Sequence, residues 1–292
     1  MIKIGLIGTQ SMHAWAFAQV CNCPDGDGNF RIPGARVTAA FGVDDTPDHL
    51  QMTLEKGNIP VAVSSLEEMF DHCNAFMILQ RNGVEHLKYA VEIIERGYPV
   101  FIDKPVCCSV EDIQALQTLA ETSNAIICGG SGLKHVKQIT MLKKKLEDGT
   151  FGQIKGATIN HSADIESPYG GIFFYLPHAV EMMLELFGYD PVSVRTTVLS
   201  RNNFTVCVKY NEFIVNLAIN GSSPTFVIVN AKESQVVRVD DSDIFVEGMK
   251  HFVDTIQNEQ VTRDTYKLTR HVAVILAVNE SIKTNQEVRL GK

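Results

Sequence analysis

MIKIGLIGTQSMHAWAFAQV, residues 1–20, decides the fold. Ile2 to Ile7 is an apolar run of strand length, Gly8-Thr9-Gln10-Ser11-Met12-His13 is a polar turn, and His13 to Val20 has helical character. A strand that turns on a glycine into a helix is the first unit of an open parallel sheet. The same alternation repeats downstream. Val37 to Phe41 reads as a strand and Pro47 to Lys56 as a helix. Ser65 with Glu68 has capping-box spacing and starts a short helix. Ala75 to Leu79 is a strand, and Val84 to Arg96 a helix with Val84, Leu87, Val91 and Ile94 on one side and Gly97 as its stop. Val100 to Ile102, a helix from Ser109 to Thr122, and Ala125 to Cys128 close the series. The expectation is α/β: a Rossmann doubly wound parallel sheet over residues 1–128.

The pattern changes after that point. Ile139 to Leu146 is helical, and strands begin at Ile154 to Asn160. Phe204, Val206, Val208 and Tyr210 alternate with polar neighbours, and Phe213, Val215, Leu217 and Ile219 do so again beyond Asn211-Glu212. Period-two patterning across two residues predicts a hairpin with one buried face. Pro224 to Ala231 and Gln235 to Val239 add strands, and helices from Ile244 to Gln257 and Thr265 to Lys283 finish the chain. Residues 129–292 therefore read as an α+β domain with a large, mostly antiparallel sheet.

Composition narrows the function. The chain has 292 residues, enough for two cores, and 45% hydrophobic content. Its net charge of −8 and the lack of a long basic block speak against nucleic acid as a partner. No charged leader or long apolar stretch precedes the first strand, so no membrane association and a cytoplasmic location are expected. The seven cysteines have neither disulfide-framework nor zinc-site spacing, which predicts reduced, buried thiols and no metal.

In an open parallel sheet a ligand sits beyond the carboxyl ends of the strands, against a helix N-terminus. That places Gly8, Thr9, Gln10, Ser11, Met12 and His13 as candidate pyrophosphate contacts. The dinucleotide fingerprint asks for glycine at positions 8, 10 and 13, and only Gly8 is present, so a purely structural turn is an equal reading. Asp44, after the second strand, is the candidate for the ribose hydroxyls, which favours NAD over NADP; Asp45 is alternatively a helix cap before Pro47.

Tyr98-Pro99-Val100-Phe101-Ile102-Asp103-Lys104-Pro105 is the most specific stretch. It resembles the Glu-Lys-Pro motif of the Gfo/Idh/MocA oxidoreductases, the glucose-fructose oxidoreductase and inositol dehydrogenase family, with Asp103 in place of Glu. Asn82 and His86 are similar to the family's Asn-x-x-x-His, and residues 147–154 and Gly170-Gly171 through His178 to Gly188 to its later signatures. The resemblance implies an NAD-dependent oxidoreductase acting on a secondary alcohol of a sugar, polyol or related small hydroxylated substrate. Asn82, His86, Asp103 and Lys104 would then help bind the cofactor. Lys104 would stabilise charge on the reacting oxygen and His178 would take the hydroxyl proton. Lys134, Tyr175 and Glu181 would meet substrate, with Glu181 able to pair with His178 one helical turn away. A homodimer or homotetramer through the second sheet is implied as well.

Bland readings stand beside these. Lys104 is otherwise a surface lysine before a turn proline, and His178 a capping or core histidine. Catalytic relatives carry Asp four residues before the histidine, where this chain has Phe174. That departure keeps open a non-redox elimination or hydrolysis on the same scaffold, or a nucleotide-binding protein without catalysis.

Overall fold

The computed structural model describes residues 1–43, 46–221, 224–259 and 265–291. Contacts divide the chain into one unit of Met1–Gly130 with Asp243–Leu268 and a second of Ser131–Ser242 with Thr269–Lys292. A single cut between residues 128 and 129 assigns Asp243–Leu268 to the second unit; by contact this segment groups with the first.

In the first unit β1 (Ile2–Ile7), β2 (Ala35–Phe41), β3 (Val61–Val63), β4 (Ala75–Ile78), β5 (Val100–Asp103) and β6 (Ile127–Gly130) form one sheet in the order β3-β2-β1-β4-β5-β6. Every neighbouring pair is parallel. Strands buried on both faces need continuous apolar runs, and β4 and β5 are buried at every position. Helices α1 (Met12–Asn22), α2 (Pro47–Gly57), α3 (Leu66–Phe70), α4 (His86–Glu95) and α5 (Val110–Thr122) make the crossovers. One core joins β1 and β4 to α1 and to Val246, Met249 and Phe252 of the later helix α8 (Ile244–Gln257). The other core holds Ile7, Phe76, Ile78, Ile93, Ile102 and Leu116. Fully burying such a side chain contributes about 1.5–3 kcal/mol.

Two local expectations are corrected. Val84 does not join the apolar side of α4 and is 57% exposed. Asn82 caps a 3₁₀ turn over Gly83–Glu85, whose tighter winding carries Val84 off the face buried by Tyr89, Ala90, Ile93 and Ile94. The cap of α2 is Thr46, whose side chain accepts from the His49 amide; Asp44 and Asp45 lie outside the described residues.

The second unit contains α6 (Lys137–Glu147), α7 (Leu176–Phe187) and a seven-stranded sheet. The strands are β7 (Gly156–His161), β8 (Ser193–Ser200), β9 (Asn203–Lys209), β10 (Ile214–Ile219), β11 (Phe226–Asn230), β12 (Gln235–Arg238) and β13 (Val288–Arg289), in the order β12-β11-β7-β10-β9-β8-β13. Only β7 with β10 is parallel among these neighbours. The Tyr210 amide bonds the Phe213 carbonyl at 2.9 Å, so Asn211-Glu212 form the β9–β10 turn. One face of the sheet presents Ile159, Val206, Val208, Val215, Leu217 and Val227, all buried, and α7 packs on β7 and β10. Helix α9 (Thr265–Thr284) contributes buried Val272, Val274, Ile275 and Val278.

Strand β6 approaches β5 at a glycine. Gly129 has φ of 142°, and a Cβ there would lie 1.9 Å from the Ile102 carbonyl oxygen. Gly97 also has positive φ, at 76°, but open space around it. Gly129→Ala is therefore expected to cost at least about 3 kcal/mol, backbone strain and collision together, and Gly97→Ala about 1 kcal/mol. Urea midpoints of the two variants check the difference.

Candidate active site

The strand order reverses direction between β1 and β4, where an open α/β sheet has its ligand crevice. Gly8 leaves β1 with φ of 88°, and a Cβ on it would come within 2.6 Å of Gln80 Cγ, so the turn closes against the segment that follows β4. Ser11 then caps α1, its hydroxyl accepting from the His13 amide at 3.2 Å. Thr9 is buried, Gln10 and Ser11 are partly exposed, and Met12 is 51% exposed. Beside Gly8 the buried Gln80 Oε1 has no hydrogen-bond partner among the described residues. An orphaned acceptor next to the amides of a helix N-terminus fits the hydroxyl, amide and phosphate groups of a dinucleotide. Asn82 accepts from the Val84 amide, and the fully buried His86 has Nε2 2.8 Å from the Gln80 carbonyl. Burial holds the His86 pKa down, so the ring is neutral and Nε2–H donates to that carbonyl.

Asp103 ends β5 and Lys104 follows it; each is only 5% exposed, so Lys104 is not a surface lysine. The Lys104–Pro105 peptide is cis. His13 Nδ1 lies 2.6 Å from Asp103 Oδ2, and the imidazole stands edge-on to Phe17 and Phe245. Two of the residues that depart from the expected patterns thus contact each other. The imidazole at a glycine position reaches the shorter carboxylate at the Glu position. Burial alone pushes the Asp103 carboxyl upward, but His13 and the Lys104 ammonium outweigh it and leave its pKa below the usual value.

The second unit carries its own polar cluster. His178 stands in the first turn of α7 and is 6% exposed. Its Nδ1 is 2.6 Å from Ser131 Oγ. The Ser131 amide donates to both Glu181 oxygens at 2.9 Å, and Lys134 Nζ pairs with Glu181 Oε2 at 2.8 Å. His271, 1% exposed, has Nε2 3.8 Å from Glu181 Oε1. Glu181 does not bond His178 as expected, because the Ser131 amide and Lys134 engage its carboxylate on another side. His161 of β7 and Tyr175 lie ring to ring with His178, each 5.6 Å between centroids. Phe174 sits between Tyr169 and Tyr175, at 4.9 Å from both rings. The sequence reading missed Ser131 altogether. Its only signal is a serine directly after the Gly129-Gly130 strand end.

Residues 2–131 match a family model described as an oxidoreductase family with an NAD-binding Rossmann fold. No curated protein sequence matches the chain significantly. Among solved structures, scyllo-inositol dehydrogenase from Lactobacillus casei with bound NAD(H) and scyllo-inositol superposes with a TM-score of 0.82 at 16% identity, covering 99% of each chain. Myo-inositol 2-dehydrogenase from Lactobacillus plantarum gives 0.82 at 15%, again over 99% of both chains. Myo-inositol dehydrogenase from Lactobacillus casei, with NAD(H) and myo-inositol, gives 0.82 at 14%, covering 100% of this chain and 97% of that one. At these identities the likeness establishes the fold of both units. The matched segment ends just after β6, at Ser131, so the His178 cluster lies outside it apart from Ser131.

Asp103→Asn is expected to lower unfolding stability at neutral pH by about 2 kcal/mol, through the loss of a charge-assisted hydrogen bond. A carboxyl whose folded pKa is depressed stabilises fully above the ordinary aspartate value of about 4 and loses that contribution as pH falls through the lower folded value. The stability gap between wild type and Asp103→Asn should close on acidification, which urea unfolding across pH measures.

Proposed function

We propose that this chain is an NAD-dependent dehydrogenase oxidising a secondary alcohol on a small hydroxylated ring, of the cyclitol or sugar class. The observation that carries the reading is Lys104, a lysine 5% exposed at the carboxyl end of a central parallel strand in an NAD-binding family domain. An ammonium held at that strand end can stabilise an oxygen that gains charge during the reaction. The solved inositol dehydrogenases, two of them holding NAD(H) with an inositol, support the substrate class. Bound NAD supplies the hydride acceptor. The turn of Gly8 to His13 and Gln80 hold its pyrophosphate and neighbouring groups, and Asp44 takes the ribose hydroxyls. Asn82 and His86 support that crevice by fixing the loop after β4. Lys104 steadies the charge on the reacting oxygen as hydride leaves; in the second unit His178 is the candidate base for the hydroxyl proton, and Tyr175 offers its phenol to the substrate. Lys134 and Glu181, paired with each other, act behind His178.

The second sheet also bears on assembly. Its outer face presents Phe226, Ile228 and Ile214, with Val236 63% exposed, and we infer that a second copy covers it. In analytical ultracentrifugation the wild type should sediment as a dimer or tetramer and Ile228→Lys as a monomer. A monomeric wild type contradicts this inference.

Activity is tested by nicotinamide reduction with a panel of inositols and sugars. Lys104→Ala should lower kcat by roughly 10²–10³ while the Kd for NAD shifts little, because the lysine acts on developing charge. An unchanged kcat removes Lys104 from the reaction.

A further inference from the structure

His13 stands where the dinucleotide fingerprint asks for glycine, and Asp103 where the Glu-Lys-Pro motif has the longer acid. Their side chains meet across 90 positions, His13 Nδ1 lying 2.6 Å from Asp103 Oδ2. We propose that His13 is a positioning residue for Lys104: through Asp103 it ties the first turn of α1 to the end of β5, so that the candidate cofactor turn sets where the lysine stands.

The proton of this contact belongs to the ring. An imidazole is ordinarily a stronger base than a carboxylate by about 2.5 pH units, and an ionised carboxylate only accepts. Nδ1–H therefore donates to Oδ2 whether the ring is neutral or charged. Burial opposes charge on Asp103, but the His13 ring, with the Lys104 ammonium and amide behind it, outweighs burial and keeps the carboxyl below its usual pKa. One carboxylate thus accepts from both the His13 ring and the Lys104 backbone.

Both ends of the tie are anchored. The His13 amide donates to Ser11 Oγ at 3.2 Å within the cap of α1. Its ring stands edge-on to Phe17 of the same helix and to Phe245 of α8, with centroids 6.3 and 5.1 Å away. These apolar walls leave the imidazole little freedom to turn Nδ1 from the carboxylate. Asp103 closes β5, where it stands opposite Gly130 of β6. A buried pair of this kind contributes little net stability but holds one arrangement of its partners. With glycine at position 13 the carboxylate loses the ring that orients it, and the strand end loosens at the residue next to Lys104.

The kinetic role rests on the dehydrogenase reading, whereas the tie does not. The test combines ¹⁵N-histidine NMR, with His13 assigned by His13→Asn, hydrogen exchange at the Lys104 amide, and kcat at saturating NAD. Wild type should carry a proton on His13 Nδ1. His13→Gly, which restores the fingerprint residue, should speed Lys104 amide exchange roughly 10-fold or more relative to the buried Ile4 amide of β1. It should also lower kcat roughly 10- to 100-fold. His13→Asn, whose side-chain amide can still donate to the carboxylate, should restore both. An Nδ1 without a proton in wild type overturns the proposal even if no variant folds. So does Lys104 exchange in His13→Gly that rises no more than that of Ile4, the mark of general destabilisation, and so does an unchanged kcat. If Lys104 exchange rises alone while wild type turns over no ring alcohol, the dehydrogenase reading fails and the tie stands.

Discussion

Six parallel strands send their carboxyl ends to one edge of the first sheet, and the chemistry of that unit depends on this constraint. Parallel pairing requires crossovers, so each strand end becomes a loop or helix start with unsatisfied amides. Gly8 after β1, Gln80 after β4 and Lys104 after β5 come to that edge without any sequence proximity. The edge is held tightly. Gly8 closes on Gln80, Gly129 on Ile102, and Gly83 on Pro105, where a Cβ would come within 2.4 Å of the proline ring.

Two buried carboxylates are each met by named partners. Asp103 is sunk at the end of β5 and His13 meets it; Glu181 is sunk in α7 and takes the Ser131 amide and Lys134. Such pairs add little net stability, since desolvation offsets most of their attraction. They do fix geometry, because removing one partner leaves an uncompensated charge. The ring of His178 and the backbone of Lys104 are therefore each set by groups that do not themselves touch a substrate in the proposed reaction.

The alternation of apolar runs and helices made the parallel sheet legible from residue 2 onward, and period-two patterning exposed the β9–β10 hairpin with its Asn211-Glu212 turn. Short β3, with three residues, and β8, whose outer half is exposed, carry too little pattern to be read alone. Val84 was misplaced because apolar spacing does not reveal where a 3₁₀ turn gives way to an α-helix. The return of Asp243–Leu268 to the first unit is a long-range choice made by Val246, Met249 and Phe252. In the candidate site, Lys104 and His178 were visible through motif and context. The His13–Asp103 contact spans 90 positions and the Ser131–His178 contact 47, and neither separation leaves a periodic trace. Glu181 was read as a partner of His178 from helical spacing alone, while the competing amide of Ser131 lies beyond any local window.

Hydride movement is the central claim, and isotope transfer measures it without reference to any single side chain. With an inositol deuterated at the reacting carbon and NAD as acceptor, mass spectrometry of the recovered nicotinamide should show one deuterium carried to the reduced cofactor. Product formed with no deuterium on the nicotinamide would contradict a dehydrogenase.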